Sequence, residues 1–258
     1  MSSASQEIVG WLRQRVAASG ARGFVVGLSG GIDSAVVIRL CQLASPDNVV
    51  GVLMPCHSDP RDESDAMLVA SHFNIPTARV DLQPAYDILL ADLVSATATL
   101  PAGLVPVPNR NQVDLKAQMP VANVKPRLRM ASLYYVANTL NYLVAGTGNR
   151  SELTIGYFTK YGDGGVDLLP IGRLLKSEVR AMARELEIPE AVIDKAPSAG
   201  LWLGQTDEAE MGFTYADLEN YLTKGPDVVS PALALRIERL VRQSEHKRAL
   251  APMPGTDN

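Results

Sequence analysis

The sequence predicts an α/β fold, three layers deep, with a parallel β-sheet between helices on both faces. Three observations predict it. Short continuous apolar runs recur at 23–28 (GFVVGL), 48–55 (NVVGVLMP) and 141–147 (NYLVAGT), as suits strands covered on both sides. Stretches with helical spacing of apolar residues alternate with these runs, the pattern of βαβ units. Each run also gives way to small or polar residues, and ligands of α/β sheets bind at the carboxyl ends of strands.

Residues 5–19 read as a helix with Ile8, Trp11, Leu12 and Val16 on one face and Gly20 placed to end it. After the first strand, Ala35 to Leu43 reads as a helix stopped before Pro46. The second strand leads to a helix over about 62–73 and a strand at 77–82 (TARVDL). The segment 84–125 is expected to be irregular, above all from Leu100 to Lys125, with prolines at 101, 106, 108 and 120. A loop that long is unusual inside a domain, so it is expected to be mobile or to order against a partner. Asn123 is placed to cap the next helix, whose first turn tolerates Pro126. A further strand is expected at 166–171 (VDLLPI). Leu175, Val179, Met182 and Leu186 form one helical stripe, and Leu233, Ile237, Leu240 and Val241 another. The whole, 1–258, is expected to be one Rossmann-like domain with strands near the flavodoxin-like order.

Bulk properties exclude several classes. A net charge of −4 implies no general affinity for nucleic acid. Two cysteines, Cys41 and Cys56, with no CxxC pair, argue against a disulfide scaffold, a zinc ribbon or a paired-thiol redox site. Cys56 and His57 are sequence neighbours, which seldom form a nucleophile–base pair, and three histidines give little for a transition-metal site. The N-terminus lacks the features of a signal peptide, and no apolar run reaches the roughly 18 residues of a membrane span. A cytoplasmic protein that binds neither membrane nor nucleic acid is expected.

The stretch GLSGGIDS, Gly27 to Ser34, stands between a strand and a helix. A helix N-terminus offers unpaired N–H groups and partial positive charge, so anions collect there. Gly30 and Gly31 permit close backbone approach and positive φ. Ser29 and Ser34 supply compact hydroxyls. Asp33 would repel phosphates unless a cation lay between them, which argues for magnesium. A tight turn capped by Asp33 explains the same residues without a ligand. The pattern is neither a Walker A loop nor GxGxxG. It resembles the SGGxDS loop of the ATP pyrophosphatases, of the adenine nucleotide alpha hydrolase-like superfamily. That resemblance implies a pyrophosphate leaving group and transfer of AMP to a substrate oxygen.

From Gly146 to Arg180 the chain reads GTGNRSELTIGYFTKYGDGGVDLLPIGRLLKSEVR. Singly, Glu152 could be a solvated helix charge, Lys160 and Lys176 surface lysines, and Asp163 or Asp167 turn formers. Together with DPRDESDA (59–66), NVKPRLRM (123–130), KAPSAGLWLGQTDEAEMG (195–212) and EHKR (245–248), they resemble the ammonia-dependent, single-domain NAD synthetases. The resemblance covers nearly the whole chain and is weakest over 84–120. It implies a carbon–nitrogen ligase that amidates deamido-NAD with ammonia and ATP through an adenylated carboxylate. It implies that Gly27, Leu28, Ser29, Gly30, Gly31, Ile32, Asp33, Ser34, Thr147, Lys176 and Ser198 bind ATP. Asp33 and Glu152 would share Mg²⁺ and, with Lys176, form the catalytic set. Arg127, Lys160, Asp167, His246 and Lys247 would hold deamido-NAD.

A glutaminase domain is not expected in this length, and a homodimer with a shared site is, its surface near 84–125 and the helix from Val124. The chain departs from the pattern at GTGN (146–149), where many bacterial members read GTDH, and at Ser198 for threonine. The first departure puts Gly148 and Asn149 where an aspartate and a histidine would stand, and neither offers an acid–base group. Pro126 replaces a small residue before Arg127. Other adenylating pyrophosphatases, of the GMP synthetase or tRNA-modifying kind, and a nucleotide-binding regulator without turnover are the alternatives.

Overall fold

The computed structural model describes residues 1–101, 103–104, 115–198, 200 and 206–254. Helix α1 (Ser3–Ser19) starts where Ser2 Oγ accepts from the Ser5 N–H and stops at left-handed Gly20, φ 70°. Strand β1 (Phe24–Gly27) leads through the glycine turn into α2 (Ile32–Ala44), which starts ahead of its apolar stripe because extended Gly31 serves as N-cap. Strand β2 (Val49–Leu53) and helix α3 (Pro60–His72) follow as expected, and strand β3 (Thr77–Arg79) starts where expected but ends three residues short of 82.

The segment 84–125 departs from expectation. Helix α4 (Gln83–Ala98) fills its first part and α5 (Leu115–Ala122) its last, while 102 and 105–114 lie outside the described residues. Apolar residues surround α4 on every side and only Tyr86 is buried, so no amphipathic period marks it in sequence. Helix α6 (Val124–Leu140) follows, but Asn123 is helical (φ −69°, ψ −11°) and does not cap it. Its Oδ1 instead accepts from Thr159 Oγ1 at 2.8 Å.

Strand β4 (Leu143–Val144) is short, and VDLLPI makes one bridge, Leu168 to Ala145, in place of the expected strand. The Asp167 carboxylate takes the Val144 N–H at 2.8 Å, and Pro170 could donate nothing to a continued ladder. The other α-helices among the described residues are α7 (Arg150–Ile155), α8 (Lys176–Glu185), α9 (Glu190–Ile193), α10 (Asp207–Met211), α11 (Tyr215–Lys224) and α12 (Pro231–Gln243).

All pairings are parallel, in the order β3-β2-β1-β4. This is the Rossmann order and corrects the expectation of a flavodoxin-like one. The chain moves outward from β1 to β3 and returns on the other side of β1, so the carboxyl ends of β1 and β4 flank a crevice. Val25, Val52 and Val144 share one core with Tyr86 of α4 and Ala137 of α6. Phe24, Val26, Val49 and Leu53 point the other way, toward α1, α2, α3 and α8. Each of these buried valine, leucine and phenylalanine side chains contributes about 1.5–3 kcal/mol. A third core joins Ile155 of α7 to Met211, Tyr215, Leu218 and Ile237. Among the described residues no helix is long and apolar enough to cross a membrane.

Candidate active site

The turn after β1 is built to stay open. Leu28 keeps its N–H on Val52 O at 2.9 Å, after which the chain leaves the sheet. Gly30 has φ 75°, and a Cβ there would stand 2.2 Å from Asp62 O, so no side chain fits. Gly31 is extended at φ −97°, so only Gly30 needs the left-handed region. The two serines brace the turn: Ser34 Oγ donates to Gly31 O at 2.9 Å, and Ser29 Oγ accepts from the Gly31 N–H at 3.3 Å. No side chain caps α2, so its first-turn amides remain available to an anion.

Opposite lies a buried charged centre. Lys176, the first residue of α8, is 3% exposed, and its Nζ donates to Asp33 Oδ2 at 2.5 Å and to Glu152 Oε1 at 3.2 Å. Burial opposes the charge of Lys176, but the carboxylates of Asp33 and Glu152 outweigh it and hold the ammonium above the ordinary lysine range. Burial pushes the Glu152 carboxyl up to about 7, with Lys176 opposing and Asp33 and Asp207 adding repulsion. Glu152 sits at N3 of α7, where Asn149 is N-cap in a reciprocal capping box. The amide of Asn149 also donates to Asp33 Oδ1 at 3.0 Å.

Several residues here were not identified from sequence. Asp207 is buried and accepts from Tyr215 Oη at 2.8 Å and Tyr157 Oη at 3.2 Å, and burial raises its pKa. Tyr215 Oη also reaches Glu152 Oε1 at 3.3 Å. Lys195 donates to Asp62 Oδ1 at 2.8 Å and Asp65 Oδ2 at 2.5 Å, tying α3 to the segment before α10. The stretch KAPSAGLWLGQTDEAEMG carried Lys195 and Asp207 in view, but nothing in it distinguished them from surface charges.

The turn, Thr147, Glu152, Lys176, Ser198 and Lys247 line one cleft of about 530 Å³. Arg127, Lys160, Asp167 and His246 do not line it. Arg127, Lys160 and His246 form a neighbouring rim: Arg127 Nη2 donates to Lys160 O at 3.3 Å, and Lys160 Nζ to His246 O at 2.6 Å. Asp167 is held by α6 and β4 instead, accepting from Tyr134 Oη at 3.0 Å and from the Val144 N–H at 2.8 Å. Lys247 donates to Gly156 O and Phe158 O, each at 2.7 Å, and joins rim to cleft. In the loop between them Tyr161 holds φ 60°, costly for a non-glycine residue and typical of functional loops. Pro126 packs near Gly162 and leaves Arg127 exposed on the rim. Cys56 is buried, and His57 pairs with Asp87 at 2.7 Å, not with Cys56.

The donor set suits a hard divalent cation. Asp33 and Glu152 offer carboxylate oxygens to one point, already visited by a positive Lys176. Among the described residues no three His, Cys, Asp or Glu side chains enclose an ion unaided. A site with two carboxylates fits Mg²⁺, which takes one or two carboxylates plus water and phosphate oxygens.

The NAD synthase family model matches residues 4–251. An NH(3)-dependent NAD(+) synthetase from Carboxydothermus hydrogenoformans is 50% identical to this chain, covering 97% of it and 96% of the relative. Among solved structures, an NMN synthetase from Francisella tularensis superposes with a TM-score of 0.85 at 37% identity, covering 99% of each chain. An NH3-dependent NAD synthetase from Campylobacter jejuni gives a TM-score of 0.75 at 27% identity, over 98% of this chain and 99% of the other.

Proposed function

The chain belongs to the NAD synthase family, and we propose that it amidates deamido-NAD with ammonia and ATP, releasing NAD, AMP and pyrophosphate. The supporting observation is the Asp33–Lys176–Glu152 centre facing an uncapped helix start in one cleft. An oxygen of the pyridine carboxylate attacks the α-phosphorus of ATP, and the bond to the β-phosphate bridging oxygen breaks. The amides of Ile32, Asp33 and Ser34 hold the leaving pyrophosphate, and Lys176 offsets charge developing at the transferring phosphoryl group. Ammonia then attacks the acyl carbon, AMP departs with the bonding pair, and the surplus proton passes to solvent. Thr147 and Ser198, at the cleft wall, orient the nucleotide.

Mg²⁺, held by Asp33 and Glu152, would supply charge neutralisation between phosphates. Arg127, Lys160 and His246 on the rim, Lys247 at the cleft wall and Asp167 beside β4 bind the dinucleotide. Arg127 brings the planar fork suited to a phosphate or carboxylate.

A second reading has one observation in its favour: the Francisella NMN synthetase superposes better than the Campylobacter enzyme. The same chemistry on nicotinate mononucleotide would yield NMN. Parallel incubations of the chain with ATP, Mg²⁺, ammonium and either pyridine acid, reading pyrophosphate and the amidated product, decide between them. A higher kcat/KM with deamido-NAD supports the first reading, and preference for the mononucleotide overturns it. No amidation of either acid removes both.

The partner surface we propose is a homodimer face on α4 and α6. Ile88, Val94 and Tyr135 are 68%, 57% and 75% exposed, more apolar area than a solvated helix needs. Light scattering at micromolar concentration should give twice the chain mass, and a fully active monomer would exclude it. The proposed setting is the cytoplasm.

A further inference from the structure

Asn149 is 0% exposed and lies between the two carboxylates that the proposed function assigns to Mg²⁺. Its Oδ1 accepts from the Glu152 N–H at 3.1 Å, and its own N–H faces Glu152 Oε2 at 3.4 Å. Its Nδ2 donates to Asp33 Oδ1 at 3.0 Å. The amide orientation follows from its neighbours, because one end meets a donor and the other an acceptor. Asp33 follows β1 and Glu152 follows β4. One side chain therefore spans the crevice and fixes the two acids relative to each other.

Few side chains can do this. Aspartate would cap α7 equally well but accepts only, and would set a third carboxylate against Asp33. Serine would also cap α7, but its short hydroxyl cannot reach Asp33 while it does so. A neutral amide both caps the helix and donates across the crevice. It also leaves the buried ammonium of Lys176 facing two carboxylates at hydrogen-bond distance rather than three.

We infer that Asn149 is a positioning residue that holds Asp33 and Glu152 at a shared separation for a divalent cation, an inference that rests on the function proposed above. The sequence marked this position only as a departure from the commoner GTDH form.

The test uses N149S and N149D in the full chain, with Mn²⁺ titrated calorimetrically in the presence of α,β-methylene-ATP. Supporting residues of this kind typically change metal affinity by roughly 10- to 100-fold. N149S should weaken Mn²⁺ binding by about that factor, while affinity for the analogue without metal stays unchanged. N149D should melt below the parent without divalent cation and recover more on adding Mn²⁺ than the parent gains. If both variants bind Mn²⁺ as the parent does, and the N149D deficit ignores the ion, Asn149 only caps a helix and the inference falls. If one variant does not fold, the other decides. Failure of the parent to bind Mn²⁺ with the analogue would remove the inference together with the magnesium assignment. A parent that amidates neither pyridine acid yet shows the Mn²⁺ response would overturn the proposed function and support this inference.

Discussion

Lys176 Nζ lies 2.5 Å from Asp33 Oδ2, joining the first residue of α8 to the first turn of α2 inside the cleft. Neither partner is freely solvated, with side chains 4% and 18% exposed. Removing one member of a buried pair leaves an uncompensated charge, at a cost of about 3–5 kcal/mol. Lys176→Met should therefore lower the melting temperature and also cut pyrophosphate release at least ~10²-fold, the scale of a lost charge-stabilising donor. A variant of unchanged rate, measured by phosphate detection after pyrophosphatase, would dismiss Lys176 from the chemistry.

Glu152 gives a pH dependence in nucleotide- and metal-free buffer. Its carboxyl is pushed up to about 7 by burial, above its ordinary value of 4.5. Between those values the folded chain holds a proton that the unfolded chain has lost, so stability falls as pH rises through this window. The full effect is on the order of 3 kcal/mol, reduced by coupling to Lys176. Glu152→Gln should flatten the slope in urea unfolding series from pH 5 to 8. Equal slopes in parent and variant would place the titration elsewhere.

The glycine turn was legible because its chemistry is local: Gly27 to Ser34 specify a strand exit, an open helix start and a carboxylate within eight consecutive positions. The buried stripe of α8 was legible for the same reason, since Leu175, Val179, Met182 and Leu186 are all buried as their spacing requires. The strand order was not, because parallel neighbours leave no mark in either strand's own residues. Helix α4 was hidden by apolar residues on every side, which erase the period that reveals a surface helix. Tyr215 escaped notice because its partner Glu152 comes from another part of the chain, and Asp207 because one of its two tyrosine partners, Tyr157, does too. Asn149 was seen, but a motif comparison registers a changed letter and not the contact with Asp33 that the letter makes.

Gly30 tests the turn itself. Its φ of 75° disfavours any L side chain, and a Cβ would meet backbone Asp62 O at 2.2 Å. Because the obstacle is backbone, α3 and the turn must move apart for Gly30→Ala to fold. The expected result is a loss of roughly 1–3 kcal/mol in stability and at least ~10²-fold weaker ATP-dependent turnover. Gly31→Ala should do less, since extended Gly31 meets only Ser29 Oγ at 3.3 Å. If the two variants were equivalent in urea unfolding and in the KM for ATP, the tight contact with Asp62 would not be what shapes the site.

The rim offers a test of which pyridine acid the chain takes. Lys160 lies outside the cleft that carries the turn and Lys176, with its ammonium on His246 O at 2.6 Å. If the rim grips the half of deamido-NAD that a mononucleotide lacks, Lys160→Ala should raise the KM for deamido-NAD by about tenfold, worth some 1.4 kcal/mol. The KM for ATP should stay within about twofold, because the nucleotide turn is built without Lys160. On nicotinate mononucleotide the same substitution should have little effect. Steady-state kinetics with each acid varied in turn makes the comparison. Equal losses for ATP and deamido-NAD would mean that Lys160 supports the loop as a whole. Equal losses for the two acids would move its contact to the part of the substrate they share.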